Sequence, residues 1–154
     1  MGTGSAALEE AERVLWQAVD VAPGSADPWI GLIVTARGLS LGRDEVVHRF
    51  NQAHGRDRFR PDACAQAMQG LCAKWFGSDD EMFGFARWDE AEAPADSAAR
   101  MVLPMAHIER LVAASREGIN GQTERPWLHQ GDDIVGRYRS VSEARLLETH
   151  LYPW

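Results

Sequence analysis

Long apolar runs are missing from this chain of 154 residues. The longest are about half the roughly 20 residues a membrane span needs, so no membrane partner is expected. Cysteine is scarce: Cys64 and Cys72 are the only two, with no CxxC pair and no pattern of metal ligands around them. On a single helix, residues eight apart lie about 12 Å from each other, beyond disulfide reach. They are expected as reduced core residues. Positive charge is in deficit, with 16 Lys and Arg against 23 Asp and Glu and a net charge of −7. Such a surface repels nucleic acid and anionic lipid at long range, so neither is an expected partner. Nothing near Met1 resembles a signal peptide. The expected location is the cytoplasm.

Catalytic punctuation is absent as well. No Gly-x-Ser-x-Gly occurs. Gly2-Thr3-Gly4 and the Gly118–Gly121 region lack the strand-to-helix setting of a phosphate loop. No two histidines stand three or four apart, the spacing a helical metal site uses. Neither a cofactor nor a metal is expected, and no catalytic residue is named.

Helical periodicity fills the chain instead. The spacing predicts helices over about 6–21, 28–39, 44–54, 61–76, 79–91 and 96–116, with weaker ones near 126–138 and 141–151. Pro23-Gly24 stops the first. Asp27-Pro28 restarts the chain as a cap followed by proline at the first helical position. Ser78 caps the fifth, whose first turn carries Asp79, Asp80 and Glu81 at the positive end of the helix dipole. Pro104 is expected to kink the sixth or to mark its true start. With 45% hydrophobic and 25% charged residues, this is a globular composition. The expected fold is all-α: an antiparallel helix-hairpin stack, a short α-solenoid of six to eight helices. It is one domain over 6–154, with repeat-like pairs over 6–60, degenerate repeats over 61–116 and C-terminal helices over 126–151.

The repeat signal lies in the first half. Ala11-x3-Leu15-x2-Ala18-x4-Pro23 has the form of a repeat's second helix and closing proline. Trp29-x2-Leu32 then opens the next first helix at the offset of a period near 34 residues. Together these residues resemble the tetratricopeptide repeat. The run Lys74–Ser78, then Met82–Arg87, Pro94 and Ala106–Glu109, extends the resemblance to a group of longer tetratricopeptide-like proteins common in high-GC bacteria, over about Ala11–Glu109. That resemblance implies a helical repeat fold and no reaction.

Six tryptophans stand out. Trp29 and Trp75 fit core seams, and Trp16 faces away from the Ala11–Ala18 seam. Phe85 and Trp88 fall off the Met82–Ala86 face of an acidic helix. They read either as an interface or as aromatics covered by C-terminal helices. Residues 37–60 hold six arginines (37, 43, 49, 56, 58 and 60), read as solvated faces or a charged contact. The tail 141–154 is amphipathic and is expected to pack on open helical surface near Leu8, Leu15 and Trp16; otherwise the chain is expected to form a homodimer. The expected function is a non-enzymatic module that binds a protein or peptide segment. The alternative is a small-molecule or enzymatic pocket between the fourth, fifth and sixth helices, where Trp75, Arg87 and His107 could converge. Candidate binding residues are therefore Trp75, Phe85, Arg87, Trp88 and His107.

Overall fold

The computed structural model describes residues 3–116, and among them every regular element is helical. The elements are α1 (Thr3–Val21), α2 (Asp27–Gly38), α3 (Arg43–Arg56), α4 (Pro61–Gly70), α5 (Asp79–Glu92), a 3₁₀ turn (Ala98–Met101) and α6 (Val102–Arg116). Two compact units result, 1–106 and 107–154. The expected helices over 126–138 and 141–151, and the expected docking of the tail, lie outside the described residues. No described helix is long and apolar enough to cross a membrane.

In the first unit each helix packs on its sequence neighbours, and α4 also reaches back to α2. The α1–α2 seam is close because glycines face it. A Cβ on Gly31 or Gly38 would collide with the side chain of Leu15 or Leu8 respectively. The surface expected to stand open near Leu8 and Leu15 is thus covered by α2, whose glycines let those leucines approach. The core is built from Leu32, Ile33 and Ala36 of α2, Val46 and Phe50 of α3, Cys64 and Met68 of α4, and Met82 and Ala86 of α5. Trp29 is buried as its seam position requires. Burying such side chains supplies most of the driving force for the fold.

Three local expectations are revised. The second helix is capped from Ser25, whose hydroxyl accepts the Asp27 N–H at 3.2 Å, rather than by Asp27. The fourth helix ends at Gly70 instead of Phe76, because the chain turns back through Leu71–Gly77 and the Phe76 N–H bonds to the Gly70 carbonyl. Only glycine suits the close of that turn, since a Cβ on Gly77 would overlap the Leu71 carbonyl. Trp75 therefore leaves the apolar stripe and is 38% exposed. On α6 the aligned residues Ile108 and Val112 are exposed, whereas Val102, Leu103 and Ala106 are buried. Pro104 sits in the first turn of α6, where no intrahelical N–H is needed.

Candidate functional site

Side chains of α3 and α5 meet in the same order along both helices. Arg43 and Glu81 meet at their N-terminal ends (2.5 Å), while Phe50 touches Phe85 and His54 touches Trp88 further along. With α4 they enclose a half-open cavity of about 200 Å³, lined by Val46, Val47, Phe50, Asn51, Ala67, Leu71, Phe85 and Trp88. Seven of these eight are apolar, and none titrates. On α3, Val46 fills the seam to α4 near Gly70, while its neighbour Val47 is only half-buried and faces the cavity. Val46 thus serves both the seam and the cavity, and Val47 the cavity.

An aromatic cluster forms one wall. Phe50 meets Phe85 edge-on at 5.1 Å and Trp88 at 6.2 Å. Phe85 and Trp88 stand 5.6 Å apart, and Phe59 lies 5.8 Å from Trp88. These are the separations at which aromatic pairs attract beyond simple burial. Trp88 nevertheless remains 39% exposed. It is a large, rigid, half-covered surface at the rim of an apolar slot.

Comparison with protein-family models, curated proteins and solved structures finds no match.

Of the residues singled out in the sequence, Phe85 and Trp88 come together at this cavity. Trp75 and Arg87 do not join them there. The Trp75 ring lies under the Arg37 guanidinium (5.6 Å) and near the Lys74 ammonium (5.8 Å). Arg87 lies over Phe83 at 5.6 Å. His107 is buried and belongs to the second unit. The remaining lining residues had a signal that pointed elsewhere: Val46, Val47, Phe50 and Leu71 are ordinary apolar stripe positions, and periodicity does not distinguish a core face from a slot.

A second polar constellation is structural. Arg49 is 2% exposed, which departs from solvated faces, one of the two readings of the arginines in residues 37–60. Its guanidinium forks onto Glu12 of α1 (2.6 and 2.9 Å), donates to Glu45 (2.7 Å) and to the Leu32 carbonyl (2.6 Å), and lies over the Trp16 ring at 5.5 Å. Glu12 also accepts from the Thr35 hydroxyl and from Trp16 Nε1 (3.2 Å). Burial opposes charge on Glu12, but these donors outweigh it and hold its carboxyl below the usual range. Burial likewise opposes charge on Arg49, and its two carboxylates more than restore it. One cation thus ties three helices through charge-assisted bonds.

Asp89 is the opposite case. It is fully buried on α5, and among the described residues neither carboxylate oxygen has a hydrogen-bond partner of ordinary geometry. Burial raises its pKa to about 6, tempered by the neighbouring Cys64 thiol and by Arg100. Burial, with Asp89 beside it, drives the Cys64 thiol well above its ordinary value. A thiol held protonated is a poor nucleophile. Cys64 and Cys72 are both buried, and neither forms a disulfide.

Proposed function

We propose that this chain is a non-enzymatic interaction module, a short stack of tetratricopeptide-like hairpins that takes one bulky apolar side chain of a protein or peptide segment into the slot between α3, α4 and α5. The observation carrying this reading is the slot itself: about 200 Å³, half-open, apolar, with the half-exposed Trp88 at its rim. Ligand and cofactor pockets are usually roughly 300–1,000 Å³ and hold several placed polar groups. This one is smaller and offers Asn51 alone. General acid–base chemistry needs a titratable group within reach of the reacting atoms, and the lining has none. A hydrophobic anchor beside an exposed tryptophan is instead the anatomy of an interface hot spot. Two buried cysteines outside any disulfide suit a reducing compartment such as the cytoplasm.

Selection from a random displayed-peptide library tests the reading. The recovered peptides should share one large apolar residue, and Ala67→Trp, which fills the slot, should abolish their binding while leaving the helical circular dichroism intact. Peptides without such an anchor, or binding indifferent to Ala67→Trp, would overturn it.

A further inference from the structure

His54 stands one helical turn beyond Phe50 on α3, and its ring is the hub of the aromatic cluster. It stacks on Phe50 at 5.4 Å, meets Trp88 at 5.5 Å and takes the Phe59 ring edge-on at 4.7 Å. Its Nδ1 accepts the backbone N–H of Phe59 at 3.3 Å. A ring nitrogen accepts only while it carries no proton. Phe59 is held at φ +56°, the left-handed region that residues with a Cβ seldom occupy. Its ring is buried and lies against Trp88. The bond to His54 therefore fixes an unfavourable backbone turn, and that turn packs Phe59 against Trp88, which itself lines the slot.

We propose that protonation of His54 opens this aromatic wall, making occupancy of the slot dependent on pH. The inference rests on the binding reading above for its consequence, though not for the structural change. A proton on Nδ1 removes the acceptor and sets one N–H against another. Phe59 then relaxes out of the left-handed region and withdraws from Trp88. The surrounding charges favour the neutral ring. From the turn after α3, Arg58 presents a cation; from α5, the facing group is the uncharged Trp88 indole. On that same helix, Asp89 is turned to Cys64 on α4, and Arg87 lies over Phe83. Burial, then Arg58, hold the His54 pKa below its ordinary value. Attraction between an imidazolium and the neighbouring rings does not replace the lost acceptor.

Two-dimensional NMR of the whole chain tests this. The Trp88 indole N–H and the Phe59 amide are followed through a pH titration in the wild type and in His54→Asn, whose Oδ1 occupies the acceptor position without titrating. In the wild type both resonances should move with the His54 imidazole, at a midpoint below the ordinary histidine value. In His54→Asn both should stay still. Toluene, which matches the slot in size and polarity, should shift the Val47 and Leu71 methyls near neutral pH, and its affinity should fall roughly tenfold on the acid side in the wild type alone. Resonances that titrate equally in His54→Asn would identify another group, Asp89 first, and overturn the proposal. Toluene affinity whose pH dependence ignores His54 would do the same. The wild type decides even if the variant does not fold, because separate midpoints for the imidazole and for Trp88 also overturn it. Should toluene leave the methyls unmoved at every pH while both resonances follow His54, the switch stands and the binding reading falls.

Discussion

Replacing Asp89 with asparagine should change the stability of the protein by an amount that shifts in the variant's favour as pH rises. The carboxyl titrates at about 6 in the folded chain against an ordinary 3.8. Between those values the folded state holds a proton that the unfolded state has lost. The stability Asp89 supports is therefore fully present below the lower value and declines as pH rises through the higher one. The gap of about two units, at roughly 1.4 kcal/mol per unit, makes the penalty of ionisation about 3 kcal/mol in neutral solution. An asparagine side chain copies the shape of the protonated carboxyl but cannot ionise. Its own unpaired amide costs a constant amount at every pH, so the slope is diagnostic and the offset is not. Urea denaturation of both proteins at a series of pH values, followed by far-ultraviolet circular dichroism, gives the difference directly. His54 is common to both and cancels. The advantage of Asp89→Asn should grow by about 3 kcal/mol between roughly pH 4 and pH 8. A constant difference across that range would show that Asp89 is not buried as a charge, and the argument would fail.

Other substitutions probe the remaining contacts. Trp29→Ala empties a buried aromatic site between α1 and α2 and should cost about 3–5 kcal/mol in chemical denaturation; an unchanged midpoint would remove the seam. Arg49→Ala strands Glu12 and should cost about 3 kcal/mol or more, with amide hydrogen exchange speeding up first in α1. An effect below about 1 kcal/mol, the usual value of an exposed pair, would refute the buried network. Cys64 and Cys72 should react slowly with a thiol reagent under native conditions and quickly in denaturant, read by mass spectrometry. Rapid native labelling of both would contradict their burial.

The helices were legible because their signals are local. Apolar spacing, Pro28, Pro61, Ser78 and the acidic first turn of α5 each act within a turn or two, and the observed elements follow them. Helix four ended early for a reason that spacing does not carry: the turn Leu71–Gly77 is set by the close approach of Gly77 to the Leu71 carbonyl. Trp75 was misplaced as a result. Phe85 and Trp88 were recognisable as aromatics off the packed face of their helix. The rest of the slot was not, because its lining is the ordinary core alphabet and the cavity arises from how three helices meet. Arg49 was hidden for a similar reason. Its partner Glu12 is 37 residues away, and a composition count treats every arginine as solvated.

The lengths of the helices explain why a slot exists at all. At about 1.5 Å of rise per residue, α4 with 10 residues is some 6 Å shorter than α3 and α5 with 14 each. It cannot fill the trough between them along its whole length. Ala67 and Leu71, at its C-terminal end, form the floor of what is left. Depth is therefore governed largely by the small side chain at position 67, while the walls come from two other helices that both pack on α4. Substitutions at that floor therefore change the slot by single steps, from deep to shallow.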